Sequence, residues 1–223
     1  MKIGIVGGTG PLGRGLALRW AAAGHDIYVG SRDQARAEAA VQEMTEALQG
    51  ATAPDGGSMG RLHPADNETA AREGEVAVLA VPSVADDAFL RQLAEPLAGK
   101  LLIDCTVRLD PEDVTRVPAD HTGSALRTRD VLGPDVRVVG AFHTVSATKL
   151  VRLDRTLEED TFVVGDDADD VALAMKLAED AGLRAFHAGP LETGLTLERI
   201  TAMLIGLNKR YRRRGIGIRL TGV

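Results

Sequence analysis

Apolar residues along this chain fall into short continuous runs separated by helix-periodic stretches. The runs cover Lys2 to Val6, Asp26 to Val29, Val76 to Val81, Leu101 to Asp104, Arg137 to Phe142, Thr161 to Val164 and Leu183 to Phe186. Strands with one wet face alternate apolar and polar residues, so continuous runs predict strands covered on both faces, as in a parallel sheet flanked by helices. Between the first runs, Leu12 to Ala23 ends at Gly24 and Asp33 to Leu48 ends before Gly50, each glycine standing where a helix C-cap favours it. The pattern predicts βαβ units. Gly50 to Gly60 reads as a loop before a short third strand near Arg61 to His63. The stretch from Val107 to Asp135, interrupted by Pro111, Pro118 and Pro134, predicts short helices wrapping the sheet edge. Beyond about residue 140 the order is strand, helix, strand and long helix, with Leu197, Ile200, Leu204 and Leu207 at helical spacing. The expectation is a Rossmann-type α/β fold: a doubly wound, mostly parallel sheet over residues 1–140 and a smaller C-terminal unit over residues 141–223, ending in a docked helix.

Composition narrows the class. With 44% hydrophobic and 26% charged residues over 223 positions, the chain has the make-up of a globular protein and not of a disordered one. No apolar stretch reaches the roughly 20 residues of a membrane helix, and the lone cysteine, Cys105, excludes an intrachain disulfide. A cytoplasmic protein with Cys105 in its core is expected. Net charge of −6 argues against general nucleic-acid binding. Charge is nonetheless uneven, because Lys209, Arg210, Arg212, Arg213, Arg214 and Arg219 crowd the C-terminal end without an acid among them. Asp166, Asp167, Asp169 and Asp170 stand where a helix begins and complement its dipole, so no metal site is expected.

The N-terminus carries the chemistry. A short apolar strand runs into Gly8-Thr9-Gly10-Pro11-Leu12-Gly13 and then a helix, which is the arrangement a dinucleotide site needs. Gly8 is expected to make the tight turn, Gly10 to admit a pyrophosphate and Gly13 to let helix and strand pack closely. Helix N-terminal amides then face the phosphates. An NAD site places Asp or Glu at the end of the second strand to hold the ribose 2′-hydroxyl. Here that strand ends Gly30-Ser31-Arg32, with Arg36 one helical turn onward, so a hydroxyl and two guanidinium groups stand ready for a 2′-phosphate. The expected cofactor is NADP. Asp33, the neighbouring carboxylate, is the one residue at odds with that reading.

Together with Phe142-His143-Thr144, Gly165-Asp166-Asp167, Ala188-Gly189-Pro190-Leu191 and Gly215-Ile216-Gly217-Ile218, these motifs resemble the NADPH:coenzyme F420 oxidoreductases. The likeness runs from the first residue nearly to the last. It implies direct hydride exchange between the nicotinamide C4 and the C5 of the deazaflavin coenzyme F420, a small-molecule partner with a phosphodiester and a glutamyl tail. It also implies that Thr9, Ser31, Arg32 and Arg36 hold the 2′-phosphate, that Gly10, Pro11 and Leu12 hold the pyrophosphate, and that Val81, Pro82 and Ser83 flank the nicotinamide. Ala141 and His143 are implied where the two rings meet, with no side chain acting as an essential acid or base. Ser83 stands where relatives often carry an aromatic residue, and Thr106-Val107-Arg108 where they carry proline. The residues alone also fit an NADPH-dependent reductase of a carbonyl or imine, or a non-catalytic NADP-sensing module. Neither a membrane nor a nucleic acid is expected as a partner, and a homodimer is left open.

Overall fold

The computed structural model describes residues 1–50, 56–81 and 86–223. Strand β1 (Lys2–Val6), helix α1 (Pro11–Ala22), β2 (Asp26–Ser31), α2 (Gln34–Leu48), β3 (Leu62–Asp66), α3 (Asn67–Glu73) and β4 (Val76–Leu79) form the first half. Helices α4 (Asp87–Gln92) and α5 (Ala94–Leu97), β5 (Leu101–Asp104), α6 (Ser124–Leu132) and β6 (Arg137–Gly140) complete the main layer. There follow α7 (Ala147–Leu150), β7 (Asp160–Val163), α8 (Ala168–Asp180), β8 (Arg184–His187), a 3₁₀ turn and α9 (Gly194–Arg210). The main sheet is parallel throughout, in the order β3-β2-β1-β4-β5-β6, which is the Rossmann order. Strands β7 and β8 pair parallel in a second, two-stranded sheet. The two sheets meet at one antiparallel bridge, where Gly140 and Val164 exchange backbone bonds of 2.8 and 2.9 Å.

Helix α1 is packed on nearly every side. Gly13, Gly15, Leu16, Ala17, Leu18, Trp20, Ala21 and Ala22 are all buried, because the main sheet covers one face and α7 with α8 covers the other. Gly15 admits Leu150, whose Cβ would stand 2.5 Å from a methyl group there. Trp20 donates its indole N–H to the Leu177 carbonyl at 2.7 Å and meets Phe142 edge to face at 5.8 Å. Arg19 reaches the carbonyls of Leu150, Arg152 and Arg155. One aliphatic core therefore runs from Ile3 and Val29 through Trp20 to Val163 and Leu177.

Several sequence expectations need correction at their ends. The run from Arg137 stops at Gly140 rather than Phe142, since Phe142 has φ +62 and no strand continues through that conformation. The run from Val76 stops at Leu79 rather than Val81. Residues 107–123 form no helix and are tied inward by Glu198, a fully buried carboxylate that accepts from the backbone N–H of Arg108 (2.8 Å) and Ser124 (2.7 Å) and pairs with His121 (2.8 Å). Cys105 is buried, and burial pushes its thiol well above the usual range. Asp167 caps α8, accepting from the amides of Asp169 and Asp170, and Asp170 pairs with Arg137, so the acid-rich turn is occupied by local contacts. Among the described residues no helix is long and apolar enough to cross a membrane.

Because Trp20 is fully buried against α8 and Phe142, Trp20→Ala is expected to lower unfolding free energy by about 3–5 kcal/mol in a urea titration. A loss under about 1 kcal/mol, the size of an ordinary surface change, would contradict the central position given to this side chain.

Candidate functional site

The C-terminal ends of β1, β2 and β4 and the start of α4 enclose a cleft of about 520 Å³. Its floor is the β1–α1 turn. The left-handed backbone that makes this turn falls on Gly7 (φ +79) and not on Gly8, which instead lies under Val29, whose Cγ1 would stand 3.0 Å from an added methyl. Gly13 serves the close approach expected of it: a methyl there would come within 2.7 Å of the Gly8 Cα. Gly7 donates its N–H to Asn67 Oδ1 at 3.0 Å, and Arg14 braces the loop through the Thr9 carbonyl at 3.1 Å. At Gly10 the chain enters α1 with Pro11 as its first residue, no side-chain cap and no acid in the first turn. Those free amides form a site for an anion.

Ser31, Arg32 and Arg36 line the same cleft as Thr9 and Gly10. Asp33 is accounted for by local structure. Its carboxylate caps α2 by accepting the Arg36 N–H at 3.1 Å, while its own N–H is held by Ser31 Oγ at 3.3 Å. Among the described residues neither Arg32 nor Arg36 has an acidic partner. The cleft edge thus presents two uncompensated guanidinium groups, with the nearest carboxylate in sequence turned to capping.

Val81 lines the cleft as expected, whereas Pro82 and Ser83 lie outside the described residues. Pro11 is exposed and Leu12 half-buried at the α1 entrance. Sequence reasoning missed Asn67, Asp86, Ala88, Phe89 and Gln92, which complete the wall. Asp86 left a readable signal, an acid at the N-cap of α4 accepting the Phe89 amide at 2.7 Å. Asn67 left none, because its role depends on a contact with Gly7, sixty residues earlier.

Ala141 and His143 are not among the residues lining this cleft. Both are buried beyond the end of β6, and neither His143 ring nitrogen has a hydrogen-bond partner among the described residues. Burial drives the imidazole toward its neutral form, against the pull of the Asp104 and Glu198 carboxylates. Asp104, fully buried at the end of β5, accepts from Thr106 N–H (2.7 Å), Thr106 Oγ1 (2.6 Å) and Thr128 Oγ1 (2.6 Å). Burial raises its carboxyl above the ordinary range, and these three donors oppose that rise. Thr106 opens the segment Thr106-Val107-Arg108 that stands where relatives were expected to carry proline, and a proline at Thr106 itself could donate neither of its two bonds.

Residues 2–108 match the family model described as NADP oxidoreductase coenzyme F420-dependent. The F420-dependent NADP reductase of Methanothermobacter marburgensis is 38% identical over all of this chain and 99% of its own length. That of Methanocaldococcus jannaschii is 35% identical, again over all of this chain and 99% of its own length. A crystal structure of a candidate F420-dependent NADP-reductase from Arthrobacter sp. FB24 superposes with a TM-score of 0.79 at 26% identity, covering 99% of both chains. Like these relatives in sequence along its whole length, the chain belongs to the coenzyme F420-dependent NADP oxidoreductase family.

Proposed function

We propose that this protein is an oxidoreductase that exchanges a hydride between NADP(H) and coenzyme F420, and that the β1–α1 cleft holds the dinucleotide. One observation carries the cofactor assignment: Arg32 and Arg36 line the cleft without acidic partners among the described residues while Asp33 is engaged as the α2 cap. Thr9, Ser31, Arg32 and Arg36 take the 2′-phosphate, and the α1 entrance, Gly10, Pro11 and Leu12, takes the pyrophosphate, with Leu12 donating its amide, Gly10 giving the backbone room to approach and Pro11, which has no N–H, only shaping the turn. Val81 flanks the nicotinamide, with Pro82 and Ser83 next to it in the chain. When both coenzymes are bound they supply the chemistry themselves, the hydride moving between nicotinamide C4 and deazaflavin C5. The protein positions the rings and excludes water. Ala141 and His143 support the ring contact from below, His143 as a neutral spacer held in place by its own backbone, whose carbonyl accepts from Thr201 Oγ1 at 2.8 Å. Residues 1–140 form the dinucleotide unit, and residues 141–223 contribute to the deazaflavin side.

Mixing the purified protein with NADPH and oxidised F420 tests the reaction by loss of the deazaflavin's visible absorbance. Replacing Arg32 by Ala is expected to weaken NADPH binding by roughly 1.5–3 kcal/mol, about 10- to 150-fold, and to leave NADH binding nearly unchanged. Equal losses for both cofactors would contradict the 2′-phosphate assignment.

A second expectation concerns pH. His143 titrates lower in the folded protein than its unfolded value of about 6.5, so below that pH the unfolded chain takes up a proton that the folded core resists. Stability carried by the neutral ring is therefore full above about pH 6.5 and is lost as pH falls. Asp104 acts with opposite sign, since its raised folded value makes protonation relieve burial. The His143→Gln variant isolates the histidine: between about pH 7.5 and 5.5 it should lose less unfolding free energy than the wild type. An identical loss in both proteins would show that the imidazole is not held neutral.

A further inference from the structure

Helix α9 ends in a run of cations that the fold leaves unused. Lys209, Arg210, Arg212, Arg213 and Arg214 are exposed, and among the described residues none has an ion pair or a side-chain hydrogen bond, although Asp113 lies within electrostatic range of Lys209. The chain around them is fixed at both ends. On the N-terminal side, Arg213 N–H bonds the Asn208 carbonyl at 3.0 Å and Arg212 N–H the Lys209 carbonyl at 3.4 Å, the paired bonds of a Schellman cap. On the C-terminal side, Ile218 accepts from Asp160 N–H at 2.7 Å and Leu220 N–H bonds Asp160 Oδ2 at 2.6 Å, securing the segment along the edge of β7.

Arg212 occupies the left-handed position of that cap, with φ +50. Glycine takes this conformation without strain and arginine does not. A strained arginine, flanked by four other unpaired cations on a chain of net charge −6, breaks a local rule with no return in folding contacts. Thr201 joins the same helix to His143, and Lys209 lies about 12 Å further along its axis. The basic turn is thus one short tether away from the proposed ring contact.

Resting on the reading that F420 is the second substrate, we infer that this turn receives the anionic phosphodiester and glutamyl tail of that coenzyme. Guanidinium forks match carboxylate and phosphate oxygens, and several of them on one fixed turn suit a chain of repeated carboxylates. A long nucleic acid fits less well, because the remainder of the chain carries a net negative charge and Tyr211 is the turn's only aromatic residue for stacking.

The test uses three oxidised acceptors with saturating NADPH: the tail-free 8-hydroxy-5-deazariboflavin, F420 with a short glutamyl tail and F420 with a long one. Each is assayed at low and high salt with the wild type and with an Arg212→Gly, Arg213→Ala, Arg214→Ala variant. Glycine relieves the strained position, so the variant should melt no lower than the wild type. For the wild type, KM should fall on the order of tenfold from the tail-free to the long-tailed acceptor at low salt, and this advantage should shrink as salt rises. For the variant, KM should be nearly independent of tail and salt, with kcat and the KM for NADPH unchanged. Wild-type tail dependence in the variant would overturn the inference. If the wild type binds NADPH but reduces none of the three acceptors, the reading of F420 as substrate fails instead.

Discussion

The structure depends on the burial of α1 between the main sheet and helices α7 and α8. Gly13 brings it against the β1 turn and Gly15 brings it against Leu150, so the helix is clasped from both sides at distances that no side chain larger than hydrogen allows. Those approaches place its N-terminal amides over the cleft. Further along the same helix, Trp20 and Arg19 bind the C-terminal third of the chain through Leu177, Leu150, Arg152 and Arg155. A single rigid element thereby sets both the proposed phosphate site and, through the contact of Trp20 with Phe142, the position of the residue before His143.

Electrostatics at the cleft follow from how local acids are spent. A carboxylate next to Arg32 would ordinarily neutralise it and repel a phosphate. Capping of α2 turns Asp33 toward the helix amides, and the positive edge survives. Beyond β6 the balance is different. Asp104 and His143 are both buried, and burial pushes each toward its neutral form.

Much of this was legible in the chain, for a physical reason. Continuous apolar runs and the glycine spacing are local signals, so the parallel sheet, α1, α2 and the cluster of Thr9, Ser31, Arg32 and Arg36 could be read before any coordinates were known. Asn67 could not, since its task is to hold an amide from a distant turn. Glu198 could not either: on α9 it reads as one polar position in an amphipathic helix, and only the fold shows it gathering Arg108, His121 and Ser124. The overrun of the sixth strand to Phe142 has the same origin, because a buried aromatic with positive φ looks from sequence like one more strand residue. The tight turn was assigned one glycine too late for a similar reason, as Gly7 and Gly8 are chemically identical and only the backbone distinguishes them.

Direct transfer between two rings is the central claim, and an isotope tests it without reference to any one side chain. NADPH carrying deuterium at both C4 positions, incubated with the protein and oxidised F420 in ordinary water, should yield reduced coenzyme with one deuterium at C5 and none released to solvent. Reduced coenzyme carrying hydrogen from water at C5, with the label lost to solvent, would contradict the account.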